Sequence, residues 1–287
     1  MTEIPQRVGV VGGGRMGGGI AHIFAALGST VIVVESGDQA AALDRIATSL
    51  DRAHERGKLS EMRPADVLAR ITTVGGPAEL PSDLDLVVEA VPEIPNLKVE
   101  VLGLIDKAVS KSTVIASNTS SISIAELAAA LSDPTRFIGM HFFNPVPASS
   151  LVEIVRTPET APFVVEQVRG WVALVGKFEV LVNDSPGFAT SRLGVCLGLE
   201  AIRMLEEGVA DAESIDRAME LGYRHPMGPL RSTDLVGLDV RLAIAEHLAS
   251  TLGDRFTPPQ LLREKVAAGD LGRKSGRGFH DWNEENR

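Results

Sequence analysis

The chain has 287 residues, 44% of them hydrophobic and 23% charged, which is ordinary for a globular protein and enough for two domains with proper cores. Its formal net charge of −10 argues against nucleic acid as a general partner, because phosphate binding needs a basic surface. The single cysteine, Cys196, excludes an internal disulfide, and its setting in LGVCLGLEAI predicts inert core packing. The start MTEIPQRVGVV lacks the basic residues and long apolar run of a signal peptide, and no stretch reaches the about 18 apolar residues of a membrane span. A cytoplasmic protein without a membrane partner is the expectation.

Taken in chain order, short β-branched runs alternate with amphipathic segments. Strands are predicted at 7–11, 30–35, 84–90, 113–117, 136–142, 151–156 and 178–182, and helices at 16–27, 39–56, 97–109, 124–131 and 162–175. This rhythm predicts an α/β fold with a Rossmann-like doubly wound sheet. Helical periodicity then takes over at 186–207, 212–221, 233–250 and 259–268, with no convincing strand. The turn signals in Asn183-Asp184-Ser185-Pro186-Gly187 place a boundary between a domain at 1–184 and an all-helical C-terminal domain at 185–287.

The first strand, RVGVV, runs into Gly12-Gly13-Gly14-Arg15-Met16-Gly17 and then a helix, which is G-x-G-x-x-G in its confirming context. Gly12 allows the tight turn, Gly14 lets the backbone approach a pyrophosphate, and Gly17 lets helix and strand pack closely. The helix N-terminus offers free N–H groups to phosphates, with Arg15 and Met16 beside it. Glu35 ends the second strand, 18 residues after Gly17. A carboxylate there suits both ribose hydroxyls and repels a 2′-phosphate, and no Arg or Lys follows at 36–39, so NAD is expected over NADP.

Two further strand ends carry polar residues, in Ser117-Asn118-Thr119-Ser120-Ser121 and in Met140-His141-Phe142-Phe143-Asn144-Pro145. Ligands of open α/β sheets bind beyond the carboxyl ends of the strands, so both loops point at the nucleotide. If the return through Leu151-Val152-Glu153-Ile154-Val155 is antiparallel and centred on Pro147, facing residues have numbers summing to 294, which pairs His141 with Glu153. An imidazole beside a carboxylate is a general base; a satisfied core histidine is the plainer alternative. The six histidines show no ligand spacing and there is no Cys/His cluster, so no metal is expected.

The motifs VGVVGGGRMGGGIA, VVEAVPE, IASNTSSISI, GMHFFNPVP, LVEIVR, DSPGF, AMELGYRHPMGP, DLVGLDV and LGRKSGRGF run nearly end to end. With them the sequence closely resembles the 3-hydroxyacyl-CoA dehydrogenase family, particularly its short 3-hydroxybutyryl-CoA dehydrogenases. The resemblance implies NAD-dependent, reversible oxidation of an (S)-3-hydroxyacyl-CoA. It implies His141 as the base, Glu153 as its orienting partner, Ser120 as a donor to the substrate oxygen and Asn144 as a positioning group. It extends the cofactor site to Glu93, Lys98 and Lys274, and places CoA phosphates against the second helix at Ser49, Arg56 and Lys58. A solvated helix face is the plain alternative for Arg52, Arg56 and Lys58. A homodimer formed through the helical domain is implied as well, and the apolar faces at 193–205 and 235–248 suit either that or intramolecular core.

Two departures stand out. Ser191 occupies the place of an active-site Asn, which removes an amide carbonyl and NH2. Ser149-Ser150 stands where relatives usually carry Met-Lys. A second reading is therefore the same chemistry on a carrier-protein-bound or other biosynthetic thioester. A third is a non-catalytic NAD-binding protein, since lens crystallins have been recruited from this wider family; Ser120, His141 and Glu153 together speak against it.

Overall fold

The computed structural model describes residues 3–59 and 62–283. Contacts divide the chain between Ser185 and Pro186 into two compact units.

The first unit follows the order β1 (Arg7–Val11), α1 (Arg15–Leu27), β2 (Thr30–Val34), α2 (Gln39–Glu55), α3 (Pro64–Leu68), β3 (Ile71–Val74), β4 (Leu86–Glu89), α4 (Pro95–Ala108), β5 (Val114–Ser117), α5 (Ile124–Ala128), β6 (Phe137–Phe142), β7 (Leu151–Arg156), α6 (Pro162–Leu174) and β8 (Phe178–Asn183). The strands form one eight-stranded sheet in the order β3-β2-β1-β4-β5-β6-β7-β8. The strands from β3 through β6 are parallel, β7 runs antiparallel to β6, and β8 is parallel to β7. Both faces of the central strands are buried, so β1, β4 and β5 read as continuous apolar runs instead of alternating ones. Strand order reverses beside β1, which places the glycine turn at the topological switch point. The core gathers Val8, Val10, Ile20, Phe24, Val31, Val33, Ile46 and Leu50 between sheet and helices.

Two elements escape sequence periodicity, α3 and β3. They are five and four residues long, and β3 is an edge strand with only Ile71 buried, so neither shows a full hydrophobic period.

The second unit contains α7 (Thr190–Glu206), α8 (Ala212–Gly222), α9 (Pro229–Val236), α10 (Leu238–Leu252) and α11 (Gln260–Ala267). Among the described residues its only β pairings are isolated bridges at 272, 277 and 281. Its core gathers Val195, Leu199, Ile202, Ile215, Leu230, Leu238, Leu248, Phe256 and Leu262. The predicted helix 233–250 is two helices, because Gly237 at φ 104° breaks the run between α9 and α10. The predicted start at 186 moves to Thr190, since Gly187 and Phe188 both take positive φ. Cys196 is exposed, which corrects the expectation of core packing: it lies on the outer side of α7 while Val195 and Leu199 face inward.

Two buried aspartates clasp the C-terminal segment to this unit. Asp234 accepts hydrogen bonds from the Phe279 and His280 amides and from Trp282 Nε1, each at 2.9 Å. Asp216 accepts from the Leu230 and Arg231 amides and lies 2.8 Å from His280 Nε2. The hydrogen bond to Asp216 raises the His280 pKa above the ordinary histidine value, against some burial. Because the folded value lies above the unfolded one, this contact contributes stability in full below about pH 6.5 and loses it as pH rises through the folded value. Urea unfolding of wild type and His280→Gln at about pH 5.5 and about pH 9 tests this: the wild-type advantage should be larger at the lower pH, and equal advantages would overturn it.

Candidate active site

The site is built at the carboxyl ends of the parallel strands. After β1, Gly12 takes φ +108°, and a Cβ there would meet Ala90 O at 2.7 Å. A Cβ on Gly17 would lie 1.8 Å from Gly12 O, so only glycine allows α1 to start this close to the strand. Gly14 differs, because nothing lies within 4 Å of a Cβ built on it. The turn is therefore packed tightly at its two ends and open in the middle, above a helix N-terminus that no side chain caps. Arg45 of α2 donates from Nε and Nη2 to Gly13 O at 3.3 and 3.0 Å, holding that peptide plane. At the end of β2, Glu35 accepts from the Gly13 amide at 3.1 Å and the Gly37 amide at 2.8 Å. Each carboxylate oxygen keeps a second lone pair for a ribose hydroxyl. Open Gly14, bare helix terminus and anchored carboxylate together fit a dinucleotide without a 2′-phosphate.

Beside the turn, a buried ion pair sits under the ends of β4 and β5. Lys98 of α4 is 0% exposed and lies 2.7 Å from Glu89 Oε1. It donates further to Val91 O and Asn118 O, at 3.3 and 3.1 Å, and lies 3.5 Å from Glu93 Oε2. Glu89 also accepts from Ser117 Oγ at 2.5 Å and from the Val91 amide at 2.7 Å. Burial lifts the Glu89 carboxyl above the usual carboxylate range, against the opposing pull of Lys98, Ser117 and Val91. Glu93, partly exposed, organises the following loop: its Oε1 accepts from Thr119 Oγ1 at 2.5 Å, the Ser120 amide at 2.9 Å and the Ser121 amide at 3.3 Å. Ser120 is thus carried on a loop tied by its backbone to a carboxylate, with its side chain half-buried.

The β6–β7 ladder pairs Gly139 with Val155, Met140 with Ile154, His141 with Glu153 and Phe142 with Val152, the register centred on Pro147. His141 Nδ1 lies 2.8 Å from Glu153 Oε2, with Glu153 0% exposed. The His141 ring packs on Phe143 with centroids 4.4 Å apart. Asn118 Oδ1 accepts from the Phe142 amide at 2.9 Å, linking the β5 loop to the strand that carries His141. Asn144 is exposed at the start of the turn between β6 and β7. This turn and α2 form the walls of a groove of about 970 Å³, lined among others by Gly14, Arg15, Ser49, Arg56, Lys58 and Asn144. Ser49 is half-buried and bonded to His22 Nδ1 at 2.9 Å, while Arg56 and Lys58 are exposed. Met16 is half-buried against the core beneath the glycine turn.

Three further expected site residues are Lys98, Lys274 and Ser191. Lys98 faces Glu89, Glu93 and backbone carbonyls from a fully buried position, so in this structure it supports the strand ends instead of presenting a cation to the groove. Lys274 belongs to the helical unit, where its ammonium lies 2.6 Å from both oxygens of Asp239. Ser191 is half-buried in the first turn of α7. Sequence reasoning missed Glu89, Arg45 and Lys177, and it gave Asn118 a place at a strand end but no role. Glu89 ends an apolar strand run as Glu35 does, a signal that was available; Arg45 and Lys177 become visible only through packing.

Among the described residues no helix is long and apolar enough to cross a membrane, and no cluster of His, Cys, Asp and Glu is arranged to hold a metal. The sequence profile of the 3-hydroxyacyl-CoA dehydrogenase NAD binding domain matches residues 7–185, and that of the family's C-terminal domain matches residues 187–282. A 3-hydroxybutyryl-CoA dehydrogenase of Mycobacterium tuberculosis is 43% identical over 287 residues, covering 98% of this chain and 100% of the relative. The mitochondrial hydroxyacyl-coenzyme A dehydrogenase of Sus scrofa is 38% identical, covering 96% and 91%. The crystal structure of (S)-3-hydroxybutyryl-CoA dehydrogenase from Ralstonia eutropha superposes with a TM-score of 0.91 at 43% identity, covering 97% of this chain and 99% of that one. The chain belongs to the 3-hydroxyacyl-CoA dehydrogenase family, as its motifs led us to expect.

Proposed function

We propose that the chain oxidises an (S)-3-hydroxyacyl-CoA of the 3-hydroxybutyryl type to the 3-oxoacyl-CoA with NAD, reversibly. The observation that carries this reading is the buried His141–Glu153 pair at 2.8 Å, on the same sheet as a glycine turn shaped for a dinucleotide. With Glu153 facing Nδ1, the proton belongs there and the basic lone pair lies on Nε2. His141 takes the proton of the substrate 3-hydroxyl, and Glu153 stabilises the imidazolium that forms. NAD, when bound, supplies the acceptor for the hydride leaving C3. Ser120 donates to the substrate oxygen, and Asn144 positions the reacting groups from the turn above. Gly12, Gly14, Arg15, Met16 and Gly17 hold the pyrophosphate end, and Glu35 takes the ribose. Glu93 and Lys98 serve the cofactor through the loop they anchor, and Lys274 is assigned to the same cofactor site. Ser49, Arg56 and Lys58 receive the CoA phosphates along the groove, where a free CoA with three phosphate groups finds the cations Arg52, Arg56 and Lys58 at and just beyond the end of α2; that favours CoA over carrier-borne cargo. Ser191 supplies one hydroxyl to the substrate in place of an amide.

A homodimer through the helical unit fits the exposure of Leu193 at 70% and of Val236 and Val240 at 44% and 41%. Sedimentation at micromolar concentration checks this, and a monomer there sinks it.

Acetoacetyl-CoA should drive NADH oxidation by the purified protein. His141→Gln should lower turnover by on the order of 10²–10⁴-fold while NADH affinity, read by fluorescence titration, stays within about threefold. Unimpaired turnover in this variant would remove His141 from the role of base.

Lys98→Met strands the Glu89 carboxyl without its ion-pair partner and should destabilise the protein by about 3 kcal/mol in urea unfolding. The double variant with Glu89→Leu should recover most of that loss, and a double variant no more stable than the single one would show that the pair is not the cause.

A further inference from the structure

The residue joining α6 to β8, Lys177, is 7% exposed. Its ammonium donates to Val146 O at 2.6 Å and, still more closely, to Ser149 O. No carboxylate pairs with it among the described residues, although the chain carries 38 acidic residues. Lysine is rarely buried unless paired, because desolvating an ammonium is expensive. Burial accordingly pulls its pKa below the ordinary lysine value. A cation kept at such cost, bonded only to backbone carbonyls, acts on backbone conformation.

Both carbonyls belong to the turn between β6 and β7. Lys177 reaches them from the position just before β8, whose first residue, Phe178, donates its amide to Ser150 O at 2.7 Å. From the other side the turn rests on α1: a Cβ built on Gly19 would lie 2.7 Å from Val146 Cβ. The same turn supplies Asn144, Pro145, Val146, Pro147 and Ala148 to the wall of the groove opposite Ser49, Arg56 and Lys58. The turn's own residues, Phe143 to Ser150, include no cation. His22, also buried, is the titratable group nearest in charge: burial first and Lys177 second hold its pKa down to about 4, so it stays neutral while it bonds Ser49 on the facing wall.

We propose that Lys177 is a positioning residue for the reaction: by holding the Val146 and Ser149 carbonyls, its ammonium fixes the turn that walls the acyl-CoA groove and carries Asn144. It touches neither substrate nor cofactor. The proposal rests on the reading that this groove receives acyl-CoA.

Lys177→Met keeps length and apolar bulk and removes every donor; Lys177→Gln keeps a shorter amide donor. KM for acetoacetyl-CoA should rise at least about tenfold in Lys177→Met and by an intermediate factor in Lys177→Gln, with NADH affinity by fluorescence titration within about threefold of wild type in both. A role limited to general stability would not separate the two ligands in this way. KM within twofold of wild type in both variants would overturn the proposal, and so would NADH affinity falling as far as KM rises. Failure of both variants to fold would also overturn it, by assigning Lys177 to the scaffold alone. Wild type assayed in parallel separates the two readings: an inactive wild type sinks the proposed function, whereas an active wild type with an unchanged variant sinks only the role of Lys177.

Discussion

The chemistry proposed for this protein depends on a strand that turns back. Six strands run parallel and would place their carboxyl ends together, but a general base also needs a partner that fixes its tautomer, and a parallel neighbour arrives from a distant crossover. By reversing direction after β6, the chain places Glu153 directly across from His141 in the ladder and buries the pair with Nδ1 2.8 Å from the carboxylate. Cross-strand partners have Cβ atoms about 5 Å apart, close enough for two short polar side chains to meet. Slipping the register by one residue would turn one of them to the other face of the sheet. The turn between the strands therefore governs the dyad as well as the groove, and that is why its supports matter.

Buried charges of a recurring kind hold the strand ends, and one of them holds the turn. Lys98 binds Glu89 and two backbone carbonyls under β4 and β5. Arg136, at 3% exposure, lies 2.6 Å from Asp106 and donates to Thr113 O before β6. Lys177 binds two carbonyls with no anion at all. Apolar substitutes of equal volume would serve stability as well or better, since desolvation of such groups often exceeds the attraction they gain. What an apolar group cannot do is direct a carbonyl. Each of these cations holds peptide planes at or near a strand end, where ladder hydrogen bonds run out and the backbone has no other means of choosing its direction. Glu93 does the same with the opposite sign for the amides of the Ser120 loop. A rigid strand end is what a site needs if its groups are to stay in place between turnovers.

How much of this was legible in the sequence follows from the range of each interaction. The glycine turn, Glu35 and the long helices are local patterns, and they stand where periodicity and spacing put them. The His141–Glu153 pairing was accessible because a hairpin is the one tertiary arrangement whose register a sequence can state as simple arithmetic. Short elements fell below the period that reveals them, as α3 and β3 show, and the break at Gly237 was hidden inside an otherwise continuous amphipathic run. Lys177 and Arg45 were beyond reach for a different reason. A lysine before a strand and an arginine on an amphipathic helix read as solvated side chains, and only the seating of the α6–β8 connection under the turn and of α2 against Gly13 shows where they end. The exposure of Cys196 is the same limitation reversed: an apolar neighbourhood in sequence does not say which side of the helix a residue takes.

The departures at positions 149, 150 and 191 can now be weighed by what surrounds them. Positions 149 and 150 lie in the β6–β7 turn, while the ladder partners His141 and Glu153 stand in the strands on either side of it. In the turn, Ser149 contributes its backbone carbonyl to Lys177, a contact indifferent to the side chain. A serine at 149 leaves that contact intact and presents a smaller side chain at the end of the turn than methionine would. The third, Ser191, shortens a side chain at the start of α7. All three changes reduce side-chain reach, and Ser149 also adds an anchor of its own, since its Oγ accepts from the Leu151 amide at 3.3 Å. On the proposed reading, changes of that kind would act on the shape of the acyl group accepted, and the proton transfer assigned to the buried pair would stand.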